Sequence, residues 1–275
     1  MLKSMVVKGE KIGKIYYEKK HKTKEIIQNV SFEINSNEIV GIMGPSGCGK
    51  TTFAKILAGI EMPTCGKLEL FGIDCTKKVT KEIKQKIGFV YQDNNLLPWR
   101  SVEENLRFPL EIFGRKDEKE NKARINEALE MVGLSQYRTC LPQELSGGMM
   151  QRANIARAMV TEPDLLIMDQ PFGALDAITR KKMRFDFLNI FERTHKSIII
   201  ITNSIDEALL FSNRIYVMSD SPGTIEDIVE VDVPFEDRTA DIAGNEKFTA
   251  LRKQMISIVK RQYSQSGNES GEVTA

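Results

Sequence analysis

The apolar run Ile39–Met43 passes directly into Gly44, Pro45, Ser46, Gly47, Cys48, Gly49, Lys50 and Thr51. No other stretch restricts the fold so tightly. The run reads as a buried strand and residues 52–57 read as a helix, so a glycine-rich turn must join them. The turn fits G-x-x-x-x-G-K-[ST]. Glycines let backbone N–H groups curl around phosphate oxygens, and the helix N-terminus adds partial positive charge. Lys50 is placed to reach β- and γ-phosphates, and the Thr51 hydroxyl to ligate Mg²⁺. The plainer alternative is a glycine turn into an ordinary helix. Strand, glycines, lysine and threonine in one register weigh against it. The expected nucleotide-contacting positions are Gly44, Pro45, Ser46, Gly47, Cys48, Gly49, Lys50, Thr51 and Thr52.

A second apolar run, Leu165, Leu166, Ile167 and Met168, ends in Asp169. A carboxylate at such a strand end holds Mg²⁺ in phosphate-loop proteins. Alone it would read as a helix cap. Residues 87–91, 198–201 and 215–218 are further strand candidates, and residues 177–194 read as a helix between two of them. Runs that are apolar throughout suit parallel strands covered on both faces. Strand alternating with helix predicts a doubly wound α/β core. Residues 30–34 alternate as a half-exposed strand, and residues 225–233 are β-prone. Residues 100–137 are helical and charged without strands, and residues 245–263 are helical.

Lys and Arg number 39 against 38 Asp and Glu, a net charge of +1, so no global drive toward nucleic acid is expected. The longest aliphatic run, residues 198–201, is far too short to span a bilayer. The first eight residues lack the apolar core of a signal peptide, so a cytosolic chain is expected. Cys48, Cys65, Cys75 and Cys140 form no CxxC pair, and His21 and His195 are the two histidines. Ordinary thiols are expected rather than zinc ligands or disulfides.

Leu145, Ser146, Gly147, Gly148, Met149, Met150, Gln151 and Arg152 resemble the LSGGQ signature of ABC-type ATPases, and the motif lies between Lys50 and Asp169 in the family's order. The resemblance implies that Ser146, Gly147 and Gly148 cover the γ-phosphate held by a second subunit. A serine cap with a glycine turn is a compatible reading. Gln92 resembles the Q-loop glutamine that contacts Mg²⁺ or water and senses a permease. Tyr16 sits where the family stacks an aromatic on adenine, with Tyr17 as the fallback. Ala174, Leu175 and Asp176 resemble the D-loop. The implied fold is a RecA-like P-loop NTPase core with an N-terminal antiparallel β part and an α-helical subdomain carrying the signature. The implied partition is residues 1–98 and 159–263 for the core and 99–158 for the helical subdomain, and the polar, Gly/Ser-rich composition of residues 264–275 predicts a disordered tail. The implied cofactors are ATP and Mg²⁺, with Thr51, Gln92 and Asp169 as metal residues.

Residues 97–105, including Trp99, look like the Q-loop extension of nitrate/sulfonate/taurine-type importer ATPases. Residues 221–225, 231–234 and 248–252 resemble the C-terminal pattern of that group. The resemblance implies integral membrane permease subunits, a second ATPase subunit and, indirectly, a solute-binding protein as partners. The chain would then be peripheral, on the cytoplasmic face. Trp99 reads either as core or as permease-contact surface.

Two positions depart from the family. Gln170 stands where a glutamate acts as general base, and an amide orients water without accepting its proton. Asn203 stands where the family has the switch histidine, and an amide carries no exchangeable charge. Three readings follow: an ATP-trapped variant, a degenerate half of a heterodimer, or a slow homodimer. Two coincident losses favour the heterodimer. A soluble ABC ATPase acting on DNA or ribosomes fits poorly, because the interval from Lys50 to Ser146 cannot hold long coiled coils. A non-hydrolysing regulator or scaffold remains an alternative. Met149, Met150 and Met159 read as packing or interface residues, residues 115–124 as an exposed helix face, His21 as part of a solvated hairpin tip, and His195 as a helix-end residue that caps or faces solvent.

Overall fold

The computed structural model describes residues 4–17, 23–173, 175–194, 196–239 and 242–265. The basic run at residues 19–22, with His21, lies outside them, as do Ala174, His195 and residues 266–275. The chain forms two compact units, one from residues up to Thr80 and from Ser197 onward, the other from Lys81 to Lys196.

The first unit opens with strands β1 (Met5–Tyr17) and β2 (Thr23–Asn35), antiparallel with Lys8 opposite Glu33. Strand β3 (Ile39–Met43) is wholly buried and leads through the glycine turn into helix α1 (Lys50–Leu57). Strand β4 (Cys65–Leu70) pairs antiparallel with β1, and β5 (Ile73–Asp74) closes a sheet ordered β2-β1-β4-β5. Phe32 of β2 meets Phe53 of α1 edge-on at 4.8 Å. A side chain on Gly9 would run into that Phe32 ring. The antiparallel sheet therefore braces the helix that follows the glycine turn.

The second unit begins with α2 (Lys81–Gln85) and β6 (Ile87–Val90). Helices α3 (Val102–Ile112), α4 (Glu118–Met131) and α5 (Gly147–Met159) follow. Strand β7 (Leu165–Asp169) runs parallel to β6, with Val90 opposite Met168, and α6 (Ala177–Thr194) ends the unit. Leu106, Leu110, Ile125, Leu129, Ala153 and Ala156 form a dry core between α3, α4 and α5. Met149 and Met150 pack against it and Met159 is buried, as the packing reading expected. The unit includes β6, β7 and α6 as well as these helices.

Asn105 shapes the segment before α3. Its side chain accepts from Leu97 N at 2.7 Å and donates to the carbonyls of Leu97, Arg100 and Ser101. Ser101 and Glu104 then form a reciprocal capping box. The exposed-face expectation for residues 115–124 holds in part: Glu118 and Glu120 face solvent, while Asn121 is buried.

The chain returns to the first unit with β8 (Ser197–Ile201), α7 (Ile205–Phe211), β9 (Arg214–Met218), β10 (Ile225–Glu230) and α8 (Glu246–Gln265). Strand β3 lies between β8 and β9, parallel to both, and β10 joins β9 antiparallel. All residues of β3 and β8 are buried, as parallel strands covered on both faces require. Helix α8 includes Ser264 and Gln265, two positions expected in the tail. No helix among the described residues is long and apolar enough to cross a membrane.

Candidate nucleotide site

In the first unit β3 delivers the chain into the glycine loop. Gly47 (φ +83°) and Gly49 (φ +102°) are left-handed, a region that costs any other residue strain. Gly49 has a second constraint: a Cβ there would lie 2.8 Å from Ile26 Cγ2. A Cβ on Gly44 would meet Met218 O at 2.8 Å, and one on Gly223 would meet Cys48 O at 2.3 Å. The loop therefore presses on the chain behind it at both ends. Gly223 was legible only as part of a C-terminal pattern, and nothing in the sequence tied it to the loop.

Lys50 donates from Nζ to Gly44 O at 2.8 Å and Pro45 O at 2.6 Å, so its charge is held over the loop. Cys48 is buried, and burial pushes its thiol pKa up against the pull of nearby Lys50. Cys48 therefore acts as loop packing. Helix α1 starts at Lys50 with neither a side-chain cap nor an acidic residue in its first turn. Its partial positive charge is thus not offset by the helix's own side chains and favours an anion. Ser46 and Thr51 are exposed and Thr52 is half-buried. Amides, one ammonium and hydroxyls suit a triphosphate and a hard cation.

Tyr16 is 36% exposed and Tyr17 77%. Tyr16 donates its hydroxyl to Glu61, and Lys14 Nζ lies 5.1 Å from its ring centroid. Burial, and then Glu61, raise its phenol pKa, while contact with Thr52 of α1 opposes them. Tyr16 is the tyrosine anchored beside the loop's helix.

Asn203 follows β8. Because β3 and β8 are parallel, it leaves the sheet at the same edge as the glycine loop, where ligands bind in open α/β sheets. Thr202 donates its N–H to Ile42 O at 3.1 Å and its hydroxyl to Glu207 at 2.5 Å. Ser204 caps α7, accepting from Glu207 N. Asn203 is thus exposed between two fixed neighbours.

In the second unit Asp169 is buried at the end of β7, and Gln170 follows with φ +46°. A left-handed non-glycine residue is uncommon and concentrates at functional turns. Its carbonyl accepts from Gly173 N at 3.1 Å. Gln92 is exposed past the end of β6, on the same sheet edge as Asp169. Ser146 is the N-cap of α5, its Oγ accepting from Met149 N at 3.3 Å, as the capping reading expected. Gly147 is exposed and Gly148 buried; a Cβ on Gly148 would meet Thr179 Cγ2 at 2.9 Å. Asp176 accepts from Thr179 N at 3.0 Å and caps α6.

A parallel strand feeding a glycine loop with this lysine defines a nucleoside triphosphate-binding protein of the phosphate-loop class. Residues 27–173 match the ABC transporter family. The chain is 37% identical to the aliphatic sulfonates import ATP-binding protein of Bacillus cereus over 246 residues, 90% of this chain and 93% of that protein. It is 38% identical to the taurine import ATP-binding protein of a Jannaschia species over 240 residues, 86% of this chain and 87% of that one. A solved dimeric ATP-binding cassette in a post-hydrolysis state, bound to ADP and Pi, superposes with a TM-score of 0.73. Its identity is 32%, covering 83% of this chain and all of that one. The protein belongs to the ABC transporter family, as an ATP-binding member.

Proposed function

We propose that this chain is the energy-coupling subunit of a membrane importer, closing on ATP as half of an ATPase dimer. In this reading its own hydrolytic site is impaired and its partner is a second, competent ATPase chain. The observation that carries the reading is the intact phosphate loop with Lys50 held over it, in a chain with Gln170 after Asp169 and Asn203 after β8. Relatives named for sulfonate and taurine import support the importer class.

The loop amides and Lys50 would hold the β- and γ-phosphates, and Tyr16 would stack on the base. In the first unit the Thr51 hydroxyl would hold Mg²⁺, which neutralises phosphate charge when bound. Gln170 would orient water without taking its proton. Asn203 would donate its amide to the γ-phosphate. Ser146, Gly147 and Gly148 would complete the partner's site, so a subunit with a poor site of its own still serves catalysis next door. The solute would pass through permease subunits without touching this chain, which would hold it at the cytoplasmic face.

Native mass spectrometry of the transporter, purified through a tag on this chain in Mg-ATP, tests the proposal. A second, different ATPase chain is expected. Two copies of this chain would defeat the heterodimer reading. The non-hydrolysing ATP regulator or scaffold is the second reading, favoured by the same two residues; it predicts no ATP turnover by the assembled complex.

Trp99, the only tryptophan, is 73% exposed on the segment that Asn105 pins. That excludes the core reading. An exposed aromatic on a fixed loop suits an interface anchor. Its fluorescence maximum is expected to move to shorter wavelength when permease binds. Emission that stays unchanged in the complex would place Trp99 outside the interface.

A further inference from the structure

The motif at residues 248–252 resembled a C-terminal family pattern, but nucleotide chemistry gives it no task. Its last residue, Arg252, lies on α8 and donates from Nε to Asp206 Oδ1 at 2.7 Å. Asp206 is in the first turn of α7, the helix whose N-cap, Ser204, follows Asn203 directly. The two adjacent acids there do different things. Glu207 is buried and turned back onto Thr202, while Asp206 is turned outward onto α8.

The far end of α7 is held from the same C-terminal segment. Arg238 donates to the carbonyls of Leu210 and Ser212, both at 2.9 Å. Further along α8, Gln262 donates to Met218 O at 3.2 Å. That carbonyl is the atom a Cβ on Gly44 would strike. One segment therefore touches both ends of α7 and the strand backing the phosphate loop.

We propose that Arg252 is a positioning residue for the γ-phosphate contact, fixing Asn203 through Asp206 and the first turn of α7. The proposal rests on the reading of Asn203 as that contact. The pathway is short. Arg252 sets Asp206, the first turn of α7 sets the Ser204 cap and the Glu207 carboxylate, and these hold Thr202 and Ser204 on either side of Asn203. Arg252 touches no nucleotide in this scheme. A half-exposed ion pair adds little stability; its function here is to fix direction.

The test compares Mg-ATP and Mg-ADP affinities of the full chain, because only ATP carries the group Asn203 would read. N203A is expected to weaken ATP but not ADP. R252Q and the isosteric D206N should each weaken ATP about two- to fivefold and ADP by less than about twofold, the range an exposed ion pair commands. R252Q in the N203A background should cost nothing further. Equal losses for both nucleotides, no loss, or a loss that adds to N203A would overturn the proposal. An N203A chain with unchanged preference for ATP over ADP would instead remove the reading beneath it. D206N carries the same comparison if R252Q does not fold.

Discussion

Restoring Glu at position 170 together with His at position 203 is expected to raise ATP turnover by this chain about 10²-fold or more, within the range a general base contributes. Glu and Gln share size and shape, so Q170E leaves the left-handed turn at φ +46° and the Gly173 N–H bond to its carbonyl undisturbed. The exchange replaces an amide NH2, which donates, by a carboxylate oxygen that accepts a proton from the attacking water. N203H adds a group that carries charge near neutrality. Asn203 is exposed between Thr202 and Ser204, so the imidazole has room. Q170E should supply most of the gain and N203H the remainder. Phosphate release in Mg-ATP, with ATP binding measured in parallel, decides the matter. Undiminished binding without faster release would mean that these two residues do not limit hydrolysis.

Arg238→Met should destabilise the first unit by about 3 kcal/mol or more, because three buried carbonyl oxygens lose their donor at about 1–3 kcal/mol each. Arg238 is 2% exposed. Besides Leu210 and Ser212 it donates to Val233 O from Nε at 3.0 Å and Nη2 at 2.8 Å. Its guanidinium lies 4.0 Å from the Phe235 ring centroid. Leu210 lies in the last turn of α7 and Ser212 is its C-cap, where carbonyls lack helical partners and a cation is favoured. Burial draws the Arg238 pKa down to about 10, still far above neutrality, so the side chain stays a cation in the cell. Methionine fills much of the space and leaves three carbonyl oxygens without their donor. Urea unfolding of the full chain reads the difference as a lower midpoint. A loss below about 1 kcal/mol, the worth of one ordinary hydrogen bond, would sink the assignment.

Strands β3, β7 and β8 were legible because burial on both faces leaves an unbroken apolar run. The phosphate loop was legible because a phosphate dictates nearly every residue of it. Strand β1 was not. Its pairing with β2 shifts register between Gly9 and Ile12 and again between Ile12 and Lys14, and Lys11 and Asn29 have positive φ. Bulges destroy the alternation from which a strand is read. Trp99 looked equally like core, because its exposure depends on bonds that Asn105 makes to residues before and after it. Gly223, Arg238 and Arg252 act across long sequence separations, which local patterns do not record. The turn at Gln170 gave no sequence signal, since glutamine carries no left-handed preference.

Gly148 sits against Thr179, with no room for a methyl group between helices α5 and α6. Arg152 of α5 bonds Asp186 of α6 at 2.6 Å further along the same seam. The two helices are therefore geared. Ser146 heads one and Asp176 heads the other, so the same seam ties both tips, and a displacement of either loop is expected to be felt at the other.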